Sequence, residues 1–382
     1  MKKEKLYRIS LIVLTLLQIS LSALYLNSLS RIENWSAVYA EDSRGYVLVA
    51  DYLSGKDIPG EEQPLMRYRL FSPLVPCAAS LLGNLTGIPA AFLIINILLW
   101  IITPLLFYEL LKTLLQDYFS AFAGAAILTT SLPLIEWGLP VMVDMGSYFF
   151  ACLIPFLYLR LFHPAALSPG ESAQGDPQKK LKRWGRMEDI GIGLCLALAL
   201  LTKPMLIILL LFVLFSLVYE KRYTRIALTC GLPVMLVVAV YSTFSLSLHD
   251  FSAYGGPRHR GLVYLFTAAL FSYHWGWLFL RKGWKSVPGY RHLYSIYILS
   301  FAVPYLVFVH NPRLFFLSYP AVIALIVQGI WQFCRQRQHA VRIGAALLGA
   351  CILTSNLAAV FHLYIMRYLK IRDWEGLLQF FK

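Results

Sequence analysis

Charge is scarce in this chain. Only 14% of its 382 residues are Asp, Glu, Lys or Arg, while 58% are hydrophobic. A soluble domain needs more polar surface than that, and the mean hydropathy of +0.63 points to an integral membrane protein. Acids are scarcer than bases, 20 against 34. The six cysteines (Cys77, Cys152, Cys195, Cys230, Cys334 and Cys351) stand singly in or beside apolar runs. None has metal-ligand spacing, so neither a disulfide framework nor a zinc site is expected. There is no internal repeat and no soluble domain. The one low-complexity stretch is the Pro/Gly/Ser-rich segment from Pro164 to Gly175.

What the chain has in quantity is long apolar runs. Segments near 9–29, 88–111, 118–135, 146–163, 188–202, 204–219, 226–246, 262–280, 292–309, 314–334 and 341–362 read as helical spans of one all-α bundle over residues 1–382, about eleven in all. Met1–Lys5 is basic, and the run after it is too long for a signal peptide, so it is expected to be an uncleaved anchor.

With the N-terminus in the cytoplasm and sides alternating, KKLKRWGR (179–186), EKRYTR (220–225), RKGWK (281–285) and RQRQHAVR (335–342) all fall inside. That arrangement puts 21 of the 34 Lys/Arg inside and 13 outside, with 8 acids inside and 12 outside. Such a bias sets orientation in a membrane and suits anionic lipid heads; the net charge of +14 is therefore no argument for nucleic acid. The stretch LFSPLVPCAASLLG (70–83) decides the register. It is short and carries Pro73 and Pro76, so it is placed in the first outer loop (about 30–87) as an interfacial or re-entrant helix. The main cytoplasmic loop then covers about 164–187.

This topology collects ionisable residues on the outer face. The first outer loop supplies Glu41, Asp42, Arg44, Tyr46, Arg67 and Arg69, and the next supplies Glu136 and Asp144. Lys203 sits in LTKPM between two short apolar halves. LHDFSAYGGPRHRG (248–261) brings His249 and Arg258, and VHNPRLFF (309–316) brings His310 and Arg313. Charge at the membrane boundary is costly and usually marks function. Acids beside several cations suit glycosyl transfer from a lipid-linked sugar phosphate. The phosphate leaves as a stable anion that Arg or Lys neutralises, and a carboxylate takes the proton of the attacking hydroxyl. One acid and several cations suffice for a single in-line displacement, which inverts the anomeric carbon.

Each residue has a plainer reading too. Asp42 or Asp144 would cap a helix, Glu41 and Glu136 would be solvated or interfacial charges, Lys203 would snorkel, and Arg67, Arg69 and Arg313 would contact headgroups. His249 and His310 would be interface residues, and most of the Tyr and Trp an aromatic belt. A transporter or flippase of a lipid-linked or anionic substrate is the first rival function. It would place ionisable groups near mid-span and often repeat its halves. A surface-polysaccharide polymerase or ligase is the second, but usually has its large external loop later in the chain.

Over about residues 8–220 the chain resembles the GT-C superfamily of membrane glycosyltransferases, which includes the oligosaccharyltransferase catalytic subunit, the protein O-mannosyltransferases and the lipid A aminoarabinose transferases. The family carries a catalytic Asp just after its first span. In the aminoarabinose-transferase type, a Tyr follows four residues later and a small residue four after that, matched here by Asp42, Tyr46 and Ala50. A Pro-containing helix then precedes the second span, as RLFSPLVPCAASLLG does. An acid opens a later span, as Asp144 does in VDMGSYFF. A Thr-Lys-Gly-Pro motif is matched, without its Gly, by LTKPM.

The resemblance implies a polyprenyl-phosphate sugar donor, a lipid, glycan or protein acceptor, and a site on the outer side of a multi-pass cytoplasmic (inner) membrane protein. Asp42 would be the catalytic base, with Asp144 and Glu41 as supporting acids. Lys203, Arg67, Arg69 and Arg313 would hold the donor phosphate, and Tyr46, His310, His249 and Arg258 would line the pocket. No cofactor is expected; a divalent metal stays open.

The topology has a direct test. In a cysteine-free background, Gly60→Cys and Gly255→Cys are expected to react with impermeant maleimide on intact cells, whereas Gln174→Cys and Gln338→Cys are not. Labelling at 174 but not at 60 would overturn the register.

Overall fold

A chain surrounded by lipid must satisfy its backbone polar groups internally, and the apolar runs do so as helices. The computed structural model describes residues 2–33, 42–163, 177–247, 274–308, 316–335 and 339–361, and all regular elements among them are helical. They are α1 (Lys2–Glu33), α2 (Ser43–Leu53), α3 (Gln63–Arg69), α4 (Leu74–Thr86), α5 (Ile88–Leu115), α6 (Tyr118–Thr129), α7 (Leu132–Trp137), α8 (Asp144–Phe162), α9 (Pro177–Thr202) and α10 (Ile207–Tyr219). After these come α11 (Tyr223–Ile226), a π-helical turn (Ala227–Gly231), α12 (Leu232–Thr243), α13 (Trp277–Ser286), α14 (Arg291–Phe308), α15 (Tyr319–Arg335) and α16 (Ala340–Val360).

Six helices among the described residues are long and apolar enough to cross a membrane: Lys3–Ser30, Ile88–Leu115, Asp144–Phe162, Tyr223–Thr243, Phe316–Arg335 and Val341–Val360. Leu74–Thr86, Tyr118–Thr129 and Pro204–Tyr219 are shorter apolar helices. The protein is therefore membrane-embedded.

Two expected segments differ in detail. The run expected over 118–135 divides into α6 and α7, because the Thr130 hydroxyl bonds back to the Ala126 carbonyl (2.9 Å) and Pro133 opens the next helix. The helix expected from 188 starts at Pro177 and carries the basic run within it. Of the segment expected over 262–280, only residues from 274 onward are described.

α5 is the central element. It packs against α1, α4, α6 and α8. Trp100, Phe107 and Tyr108 along it are fully buried. Gly87, at φ 82°, turns the chain between α4 and α5, and Ile88 and Pro89 start the second helix at once.

Ion clusters fix the end of the bundle where α1 begins and α5 finishes. Glu4 accepts from Arg8 (2.8 Å) and Lys112 (2.8 Å), and Arg8 also reaches Glu109 (2.6 Å). A second latch joins α8 to the turn after α10. The Glu220 carboxylate meets the Tyr158 hydroxyl (2.8 Å), His163 Nε2 (2.9 Å) and Arg222 Nε (3.0 Å). Burial pushes the Glu220 carboxyl upward, but the hydrogen bonds from His163 and Tyr158 outweigh it and leave the group below the usual carboxylate range.

α13 and α15 cross with their backbones in contact. A Cβ on Gly283 would fall on the Leu325 carbonyl, and one on Gly329 on the Phe279 carbonyl. Small residues permit this approach where apolar burial alone supplies little drive between helices. Gly283→Ala or Gly329→Ala is expected to destabilise the protein by about 1–3 kcal/mol. Thermal unfolding in detergent should show a clear fall in midpoint for both, with Gly289→Ala, which points into open space, unchanged.

Candidate functional site

Ser43 begins an amphipathic helix. On α2, Ser43, Gly45, Tyr46, Leu48, Val49 and Ala50 are buried, and Leu53 is partly so. Asp42 occupies the position before the first helical residue, yet its side chain makes no capping hydrogen bond. Its carboxylate turns instead to Arg69 at the end of α3, with Nη2 to Oδ1 at 2.5 Å. The guanidinium is fixed from three further directions. Nη1 donates to the Tyr46 hydroxyl (3.3 Å), while the Tyr46 and Tyr68 ring centroids lie 5.0 and 4.8 Å from its Cζ. Gly45 makes the approach possible: a Cβ there would lie 2.6 Å from Arg69 Cγ. Arg44 pairs with Glu62 and ties α2 to the segment before α3.

Arg67, two residues earlier, faces elsewhere. Its Nη2 donates to the Ser245 carbonyl (2.8 Å) beyond α12. Tyr241 reinforces that junction, donating to the Phe71 carbonyl (2.9 Å) with its ring edge-on to Phe71 at 5.0 Å. Of the two arginines, Arg69 therefore joins Asp42, and Arg67 binds the first loop to the end of α12.

Asp144 is the first residue of α8, and Lys203 interrupts the helical path between α9 and α10 with extended backbone (φ −161°, ψ 126°). Lys203 Nζ donates to Asp144 Oδ1 at 2.6 Å. The Asp144 side chain is fully buried and that of Lys203 nearly so, at 0% and 11% exposure. A lysine that merely snorkels keeps its ammonium in water; this one is spent on a buried carboxylate. Glu136, expected at the interface, is buried on α7.

The backbone leading to Asp144 is irregular and buried from Gly138 to Val143. Asn96, fully buried on α5, supplies donors to it, bonding the Pro140 carbonyl at 2.7 Å and that of Met142 at 3.4 Å. A lone Asn in the apolar run IINILLW is the sequence signal for this strut.

The two ion pairs share one packing unit. Tyr46, Ala50, Val75, Ala79, Phe92 and Val141–Val143 form a single buried cluster. A Cβ on Gly146, one turn into α8, would meet Thr202 (2.8 Å) and Val75 (3.2 Å). The structure thus gathers Asp42, Tyr46, Arg69, Asp144 and Lys203 around α4 and the start of α5. Glu41, His249, Arg258, His310 and Arg313 lie outside the described residues. Among the described residues, no three His, Cys, Asp or Glu side chains are grouped to hold a metal ion, and Asp42 and Asp144 each already face a cation.

No family profile and no curated protein matches the sequence. Solved structures do match the fold. The oligosaccharyltransferase of Archaeoglobus fulgidus, in complex with Zn and sulfate, aligns over 90% of this chain and 52% of its own at 12% identity and TM-score 0.54. Its apo form aligns over 94% and 55%, at 14% identity and TM-score 0.53. The same organism's oligosaccharyltransferase AglB, in complex with an inhibitory peptide and a dolichol-phosphate, aligns over 94% and 56%, at 13% identity and TM-score 0.53. The chain thus shares its fold with these oligosaccharyltransferases over the aligned part. The chain spans about half the length of these proteins.

The buried pair yields a stability test. Lys203→Met removes the cation bonded to the buried Asp144 carboxylate and is expected to cost about 3–5 kcal/mol. Adding Asp144→Asn should recover part of that loss. Thermal unfolding of the single and double variants in detergent measures both; a double variant no more stable than Lys203→Met would mean the two residues act separately.

Proposed function

We propose that the chain is an inverting glycosyltransferase that moves a sugar from a polyprenyl-phosphate donor to a lipid, glycan or protein acceptor at the extracytoplasmic face of the cytoplasmic membrane. The observation that carries this reading is the placement of Asp42: a half-buried carboxylate unused as a helix cap and held by a cation that also lies against two tyrosine rings. The fold shared with the oligosaccharyltransferases supports the reaction class.

In this mechanism the acceptor hydroxyl oxygen attacks the anomeric carbon and gives its proton to Asp42. The anomeric C–O bond to phosphate breaks, and its electron pair leaves on the polyprenyl phosphate. Arg69 pairs with Asp42 in the resting site and turns to the donor phosphate as it binds, which releases the carboxylate to act as base. Arg69, with Arg313, neutralises the charge developing on the leaving group. The Asp144–Lys203 pair anchors the second wall of the site. Arg67 holds the first loop closed over it, and Glu41, His249, Arg258 and His310 complete the pocket. The acceptor reaches the site from the outer aqueous side and the donor from the bilayer. Each charge-assisted hydrogen bond to the phosphate contributes about 1.5–3 kcal/mol.

Asp42→Asn retains size and removes the base. Purified protein mixed with a polyprenyl-phosphate sugar should show turnover reduced at least about 10²-fold, with expression and donor binding retained. Arg69→Ala should instead weaken donor binding, because it removes the phosphate contact and leaves the carboxylate intact. Near-wild-type transfer by Asp42→Asn would falsify the assignment, and movement of the donor without bond cleavage would favour transport.

A further inference from the structure

At the end of the bundle opposite Asp42 there is a cavity that the reaction does not use. α5 carries Ile88 and Phe92 in the cluster beneath Tyr46, and roughly 40 Å of helix later it carries Leu114 into the cavity wall. The other walls come from Leu159 of α8, Phe212 of α10, Tyr294 and Tyr297 of α14, and Ala321 of α15. The enclosed space is about 40 Å³, and it widens to about 370 Å³ when its open mouth is counted.

The lining is apolar apart from the hydroxyls of Tyr290, Tyr294 and Tyr297. Tyr294 is 4% exposed, and among the described residues its hydroxyl has no hydrogen-bond partner. The Tyr297 hydroxyl is already used by the Leu317 carbonyl, at 2.8 Å. A buried hydroxyl left without a partner costs about 1–3 kcal/mol, so something that accepts a hydrogen bond belongs there. The occupant that fits has an apolar body and a single acceptor near one end.

Its setting narrows the choice. Tyr294 lies one helical turn inside Arg291, where α14 begins, and the exposed Lys285 stands just before that start. Arg291 is oriented by bonds to the Trp284 and Lys285 carbonyls, both 3.0 Å. A phospholipid aligned along the bundle sets its phosphate beside such cations and its ester carbonyls one step deeper, with the acyl chains below. We infer that this cavity holds one acyl chain of an anionic glycerophospholipid, whose ester carbonyl accepts from the Tyr294 hydroxyl while its phosphate lies near Arg291 and Lys285. The inference is independent of the proposed transfer reaction.

The test reads lipid retention by native mass spectrometry of the full-length protein in detergent, titrated with diacyl phosphatidylglycerol. One tightly held lipid per chain is expected. Tyr294→Phe removes only the hydroxyl and should weaken that binding about 2- to 12-fold. The dialkyl-ether analogue, which lacks the carbonyl, should bind the wild type weakly and be indifferent to Tyr294→Phe. Ala321→Phe fills the space and should abolish the tight stoichiometric binding. Equal binding of the ester and ether lipids to the wild type, or undiminished binding to Tyr294→Phe, overturns the inference. So does undiminished binding of phosphatidylglycerol to Ala321→Phe.

Discussion

Charge taken out of water must be answered where it lies. The Asp144–Lys203 pair is that constraint at its most severe in this protein. A carboxylate with no exposed surface opens a membrane-spanning helix, and the lysine bonded to it comes from a break in another. Desolvating either ion alone costs several kcal/mol, so neither can be left without the other, and the pair ties the start of α8 to the α9–α10 junction. The helical path has to be interrupted for Lys203 to extend across, and Pro204, which has no N–H to leave unsatisfied, follows the interruption directly.

The same requirement governs the uncharged backbone nearby. The segment from Gly138 to Val143 forms no regular helix and is shielded from solvent, so its carbonyls need donors from elsewhere. Asn96 provides two of them. That irregular stretch lies under Tyr46, whose hydroxyl and ring both engage Arg69, so its shape is passed on to the Asp42 ion pair. The candidate site is thus assembled in layers: a buried ion pair, a strut, an aromatic platform, and above them a carboxylate and guanidinium with partial access to solvent. Access matters. A pair wholly buried would have little reason to open, whereas Arg69 and Asp42 retain 15% and 23% exposure and can exchange partners with an incoming anion.

The two ends of the bundle are built differently. The end with Asp42 keeps cations near tyrosine faces and near a surface a substrate can reach. The opposite end cancels charge in tight latches, Glu4–Arg8–Glu109–Lys112 and Glu220–His163–Arg222, that hold helices in register. Catalysis of the kind proposed needs cations with exchangeable partners, and stability needs them locked. Separating the two along some 40 Å of α5 lets one fold do both.

Length and hydropathy of the runs were enough to establish a helical membrane protein, because the cost of unsatisfied backbone in lipid leaves few alternatives. The run from Asp42 through Tyr46 to Ala50 was readable as an amphipathic helix, and its buried face agrees except that Leu53 is only partly covered. The candidate acids and Lys203 stood out because charge is rare in such a sequence. What linear order could not express was partnership. Arg67 and Arg69 look equivalent as neighbours, but a helix turns about 100° per residue, so residues two apart face different ways. One meets Asp42 and the other the Ser245 carbonyl. Asn96 stood out only as a lone amide in an apolar run, and its partners could not be read because they lie 44 and 46 residues away. Sequence by itself determined the medium, the helices and which residues are chemically expensive. Only the tertiary structure decided which of those residues answer one another, since pairing depends on distances across helices that packing alone sets.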